Sequence, residues 1–175
     1  MTRIVAIDFE TADYGADSAC ALGMARVVDG RIVATKAFLI RPPRKRFAFT
    51  YIHGLTWADV EDAMTFAERI PEIERFVSGA NYLAAHNAPF DRAVLAAGYA
   101  AARRRRPEVP FLCTVRMARA AWGVRPTKLP DVCRYLGIAL RHHDAASDAL
   151  ACARIAAAAI ADGFPIETSR LRSPT

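Results

Sequence analysis

Asp8 and Glu10, separated by Phe9, close a short apolar run, Ile4-Val5-Ala6-Ile7. If that run is a strand, side-chain alternation puts both carboxylates on one face and Phe9 on the other. Two carboxylates at the C-terminal edge of a buried strand make an anionic pocket. Such a pocket suits a hard cation, which takes oxygen ligands and often shares them with a substrate phosphate. A further acid, Asp91, ends His86-Asn87-Ala88-Pro89-Phe90-Asp91. With Pro89 as a first helical residue, Asp91 falls in the first turn, where the helix dipole favours a carboxylate. The last cluster is His142-His143-Asp144-Ala145-Ala146-Ser147-Asp148. Five residues are about 140° apart on a continuous helix. His143 and Asp148 therefore share a site only if His143 precedes the helix and Asp144 caps it. His142 reads as a surface residue pointing elsewhere.

Each of these elements is unspecific alone, and they act together only if the fold brings them to one edge. Ala21 to Val28 and Arg31 to Ile40 read as strands joined by Asp29-Gly30, a two-residue hairpin signal. Thr65 and Glu68 form a capping-box pattern for a helix ending near Gly79. Tyr82 to Ala85 reads as a strand parallel to the first, followed by a helix from Pro89 to about Ala102. Phe111 to Val115 is the expected fifth strand. Pro130 opens a short helix stopped by Gly137, and Ala145 to Ala161 forms a long one ended by Gly163. A hairpin followed by strands alternating with helices predicts a mixed α/β sheet with helices on its faces. The loop 86–91 then opens on the same edge as Asp8 and Glu10. Residues 1–165 read as one domain, and 166–175 as a polar, frayed tail.

The bulk properties agree with such a domain. The chain has 175 residues, 53% of them apolar, enough for one sizeable core. No apolar run is long enough to span a membrane, and the four cysteines show no CxxC spacing. Reduced thiols and a cytoplasmic location are the expectation. A net charge of +6 favours a polyanionic partner. The basic stretches 41–46 and 103–106, with Lys128, are candidates for tracking a phosphate backbone.

The order Asp-x-Glu, His-Asn-x-x-Phe-Asp and His-x-x-x-x-Asp resembles the DEDDh, or DnaQ-like, 3′→5′ exonucleases, which include the proofreading epsilon subunit of bacterial DNA polymerase III. The likeness runs from about Ile4 to Ala161 and includes Tyr51-Ile52-His53-Gly54-Leu55-Thr56 and Lys128-Leu129-Pro130-Asp131-Val132-Cys133. The Tyr-type branch needs Tyr where Asp144 stands. The resemblance implies a ribonuclease-H-like mixed five-stranded sheet with helices on both faces. It implies two divalent ions, Mg²⁺ or Mn²⁺: Asp8, Glu10 and Asp148 on one, with Asp8 touching a second that Asp91 ligates directly or through water. His143 is the implied general base. Thr11, His53, Leu55 and Phe90 are implied to shape the pocket for a terminal nucleotide, although Thr11-Ala12-Asp13-Tyr14 replaces the Thr-Thr-Gly turn of many relatives.

The expected activity is hydrolysis of terminal phosphodiester bonds at single-stranded 3′ ends of DNA or RNA, releasing nucleoside 5′-monophosphates. Alternatives are a non-catalytic nucleic-acid-binding domain, against which all five catalytic positions are filled, and a zinc protein using His142, His143, Cys152 or His86, whose spacing matches no common zinc pattern. Association with a DNA polymerase is a further possibility. The proofreading subunit carries an additional C-terminal segment for its polymerase, whereas this sequence stops soon after its last expected helix, so the expectation is a free-standing enzyme or one with a different partner.

Overall fold

The computed structural model describes residues 1–171. Five strands, β1 (Arg3–Thr11), β2 (Ala19–Val28), β3 (Arg31–Leu39), β4 (Tyr82–Ala85) and β5 (Phe111–Cys113), form one sheet in the order β3-β2-β1-β4-β5. β1–β2 and β2–β3 are antiparallel, whereas β1–β4 and β4–β5 are parallel. The hairpin between β2 and β3 turns on Asp29 and Gly30, both at positive φ (46° and 77°), as a two-residue hairpin loop of this type requires.

Alternation along β1 divides the interior into two cores. Val5, Ile7 and Phe9 join a cluster that includes Phe66, Ile70 and Ile73 of α3 (Phe66–Val77) and Val94, Leu95 and Tyr99 of α4 (Pro89–Ala101). Ile4 and Ala6 face the opposite cluster, built from α5 (Thr114–Trp122), α6 (Leu129–Leu136) and α7 (Ala145–Ala161). In this numbering α1 (Thr50–His53) and α2 (Trp57–Val60) are single turns between β3 and α3. The Thr65–Glu68 capping box forms at the start of α3, and α4 begins at Pro89 with Asp91 in its first turn.

Three expectations are corrected. β5 stops at Cys113, and residues 114–122 are helical rather than a continuation of the strand. The run 111–115 is apolar or β-branched throughout, so it carries no boundary signal. The helix is marked only further on, by Met117 and Ala118 facing inward and Gly123 closing it in a left-handed conformation. The tail is not frayed over its first part. Ile166–Ser169 forms a 3-10 turn, Leu171 N–H donates to the Phe111 carbonyl at 2.8 Å, and Arg170 pairs with Leu112. This covers the edge of β5, which would otherwise expose unpaired backbone groups; residues 172–175 of the expected tail lie outside the described residues. The stretch 103–106 follows the C-terminus of α4, roughly 20 Å along that helix from its start, which puts it away from the strand ends that carry the acids. There Arg104 and Arg105 face Glu74 and Glu108.

Candidate active site

Continuing the alternation past Ile4 and Ala6 sends Asp8 and Glu10 toward α7. What brings α7 down to meet them is a glycine. Gly23 stands opposite Asp8 in the β1–β2 register, and a Cβ on it would lie 1.9 Å from the Ala145 carbonyl oxygen. With no side chain at 23, the first turn of α7 rests directly on β2. Asp144 caps that turn, its carboxylate accepting from Ser147 N–H at 2.9 Å. His143 precedes the cap with φ +66°, a conformation uncommon outside glycine and one that tends to occur at functional sites.

Asp148 is buried over the strand end. Its Oδ2 accepts from the backbone N–H of His143 at 3.0 Å, and its Oδ1 is buried with no hydrogen-bond partner. Oxygen atoms from Asp8, Glu10 and Asp148 all lie within 4.8 Å of one another. Asp91 approaches from α4. It is fully buried, and its Oδ1 accepts from Phe9 N–H at 3.0 Å, which pins the end of β1 to the helix start. Asp91 is not one of the three residues whose oxygens converge.

His142 overturns the expectation that it points away. Its Nδ1 lies 2.9 Å from Asp148 Oδ2, and its ring stacks on that of His143 with centroids 3.8 Å apart. The left-handed turn at 143 folds the two rings together, which a sequence separation does not reveal. His143 also faces the cleft. As for the zinc alternative, His86 is committed elsewhere: it hydrogen-bonds Thr114 Oγ1 (2.8 Å) and the Thr127 carbonyl (3.0 Å). Cys152, on α7, is buried in the core.

The electrostatics are those of carboxylates crowded together in a buried place. Burial, then repulsion from Asp91 and Asp148, holds Asp8 protonated well above the usual carboxylate range. Burial foremost also pushes Glu10 up to about 7 and Asp91 up to about 8, and raises Asp148. Like charges crowded in a buried place cannot all ionise without a counter-ion. An all-oxygen donor set with a buried, unpartnered carboxylate oxygen fits a hard divalent cation. The histidines move the other way. Burial lowers His143, and it lowers His86 to about 4. Neutral His86 donates from Nε2 to the Thr127 carbonyl and accepts at Nδ1.

The acids form the floor of a cleft of about 830 Å³. Thr11, His53 and Phe90 line it, whereas Leu55 lines a neighbouring recess of about 260 Å³ shared with Glu10 and His143. His53 is locked between the Thr11 carbonyl (3.1 Å from Nε2) and Leu55 N–H (3.1 Å to Nδ1). Arg44, a candidate phosphate contact, is instead forked between Asp13 and Asp17. It draws the Asp13 carboxyl down to about 2 through their hydrogen bonds. Arg119, Arg125 and Thr127 line the cleft and escaped the sequence reading. Arg119 lies on α5, a helix the sequence reading did not assign, and nothing local marks it.

The chain is thus a ribonuclease-H-like mixed sheet with helices on both faces and a cluster of carboxylates at the end of its central strand. The RNase T-type exonuclease family model matches residues 5–156, and the chain belongs to this exonuclease family. It is 30% identical over 155 residues to the PolC-type DNA polymerase III of Thermotoga petrophila, covering 86% of this chain and 11% of that protein. It is 35% identical over 99 residues to exodeoxyribonuclease 10 of Escherichia coli strain K12, covering 55% of this chain and 38% of that protein. The chain thus spans about a tenth of the PolC-type relative's length. Among solved structures, the nuclease domain of 3′hExo, a DEDDh family member bound to rAMP, superposes with a TM-score of 0.80 at 20% identity, covering 94% of both chains. Among the described residues no helix is long and apolar enough to cross a membrane.

Proposed function

We propose that this chain is a metal-dependent 3′→5′ exonuclease that releases nucleoside 5′-monophosphates from the 3′ ends of DNA or RNA. The observation that carries the reading is the Asp8, Glu10 and Asp148 group at the cleft floor, three converging carboxylates with a buried oxygen left unpartnered. In this reading Asp8, Glu10 and Asp148 would hold one divalent ion, and Asp8 and Asp91 would help to hold a second. Bound there, two Mg²⁺ or Mn²⁺ ions supply the charge that eases both attack and departure at the phosphorus.

The remaining work belongs to the chain. His143, unprotonated at neutral pH because burial lowers its pKa, accepts the proton of the attacking water. Its backbone N–H, fixed on Asp148 Oδ2, keeps the imidazole beside the acids. Thr11, His53 and Phe90 bound the space for one terminal nucleotide, with Leu55 behind His53. Hydrolysis breaks the bond from phosphorus to the 3′ oxygen of the preceding nucleotide, and the phosphate leaves on the 5′ carbon of the released one.

The relatives' names point to DNA in exodeoxyribonuclease 10 and to a ribonucleotide in 3′hExo, so both sugars belong to the proposal. The identity with PolC-type polymerases favours a second role for the same activity, in the service of a polymerase. The test is hydrolysis of matched single-stranded DNA and RNA, linear and circular, with Mg²⁺ or after metal stripping. Metal-dependent digestion of linear strands alone supports the proposal. Cutting of circles would make the enzyme an endonuclease, and full activity without metal would refute the metal assignment.

A further inference from the structure

The cleft has two chemically different walls, and the topology assigns each to one side of the sheet. Asp8 and Glu10 end the central strand β1. On the β4–β5 side stand Arg119, Arg125 and Lys128, from α5 and the loop leading to α6, all exposed and all lining the cleft. On the β2–β3 side stand Phe49 and Ile52, from the start of α1. Ala48 N–H donates to the Ala12 carbonyl at 2.6 Å, which ties that wall to the turn after β1. Tyr14, 80% exposed, packs edge-on against Phe49 with ring centroids 4.8 Å apart and extends the apolar wall outward. The Arg44 fork on Asp13 and Asp17 holds the loop that presents Tyr14.

The cationic wall is not neutralised by an acid. Arg44, Arg69, Arg134 and Arg141 each hold a carboxylate. Among the described residues, no carboxylate is paired with Arg119, Arg125 or Lys128. Arg119 is nonetheless held in place. Its Nε donates to Thr127 Oγ1 at 2.9 Å, that hydroxyl donates to the Val124 carbonyl at 2.8 Å, and the Thr127 carbonyl accepts from His86. One edge of the guanidinium is used for anchoring, and the remaining N–H groups are available to an anion. A fixed guanidinium fork without an acidic partner matches a phosphate oxygen pair.

We infer that the cleft binds a single nucleic-acid strand in one orientation, with its phosphates along Arg119, Arg125 and Lys128 and its bases stacked toward Phe49, Ile52 and Tyr14. The inference rests on the nuclease reading for its ligand class and adds the side on which each part of the strand lies. Arg119 is its fixed positioning residue, and Thr127 sets Arg119.

The test measures binding without hydrolysis, so it stands apart from any nuclease assay. Fluorescence anisotropy in EDTA follows a 5′-labelled oligothymidylate, and the same oligomer with abasic sites at its 3′-terminal positions, across a salt series. Each lost phosphate contact lowers the salt slope of a single strand by about 0.7. Replacing Arg119, Arg125 and Lys128 together with Ala should therefore flatten it by up to about 2, equally for both probes. Arg119→Lys should keep the slope, and Thr127→Val should weaken binding without changing net charge. Phe49→Ala should leave the slope unchanged and weaken the thymidylate roughly 5- to 150-fold, the range for loss of one stacked base, and Ile52→Ala, which removes only an aliphatic contact, should leave the slope unchanged with a smaller loss. They should leave the abasic probe unaffected. An unchanged slope in the triple variant, or equal losses on both probes for the apolar variants, overturns the inference. Loss of the orientation with hydrolysis intact would leave the nuclease reading standing, and the converse result would remove only that reading.

Discussion

Gly23 and Ala145 are in such close contact that a Cβ at 23 would lie 1.9 Å from the Ala145 carbonyl oxygen. The clash is with backbone, which has no rotamer to yield. Gly23→Ala must lift the first turn of α7 off β2 and carry Asp148 away from Asp8. Such overpacking costs about 1–3 kcal/mol, and we expect the loss of turnover per folded molecule to exceed what that destabilisation explains. Gly98→Ala is the control. Its Cβ would meet the Phe66 ring at 2.5 Å, about 10 Å along α4 from Asp91. It should lower the melting temperature with turnover per folded molecule retained. Equal effects of the two variants on turnover would deny Gly23 its positioning role.

His143→Ala should retain metal binding while losing about 10²–10⁴-fold in kcat, the usual worth of a positioned base. The rising limb of its pH–rate profile, set in the wild type below the ordinary histidine range by burial, should vanish. His143→Gln should not restore it. His142→Ala removes the hydrogen bond to Asp148 Oδ2, so its effect should appear in the metal concentration required, with the pH limb retained. Loss of the limb in His142→Ala and not in His143→Ala would exchange the two roles.

Metal removal should make stability fall as pH rises. Glu10 and Asp91 have folded pKa values of about 7 and 8, above the ordinary ~4 of the unfolded chain. The folded state thus binds protons more tightly than the unfolded state. The stabilisation is complete below about pH 4 and is lost as pH rises through the folded values. In chelator the melting temperature should drop between pH 5 and 8, and saturating Mg²⁺ should reduce the drop. Asp8→Asn, which removes the charge most strongly opposed by burial and by Asp91, should raise the melting temperature in chelator at pH 8. A lowered value there would show that carboxylate repulsion does not dominate the metal-free site.

The acids were legible because strand alternation and a helix start are local patterns. Asp8 and Glu10 follow from four apolar residues before them, and Asp91 from Pro89. The Asp144 cap predicted from the five-residue offset is the one observed. What was hidden depends on neighbours distant in sequence. Gly23 carries no signal until α7 lies on it, and His142 turns inward because of a single left-handed residue. Arg119 gains its position from Thr127, eight residues away across a loop. The tail looked polar because Ile166 and Leu171, the residues that seal it, are too few to make a pattern.

The central claim is end-directed, metal-dependent hydrolysis, and a time course on a 5′-labelled single strand tests it most directly. With Mg²⁺ the full-length band should shorten through a ladder, one nucleotide at a time, with nucleoside 5′-monophosphate as the small product. A 3′-blocked copy should persist, and Asp8→Ala, folded by circular dichroism, should leave the strand intact. Degradation of the 3′-blocked strand at the same rate, or a ladder produced by folded Asp8→Ala, would contradict the account.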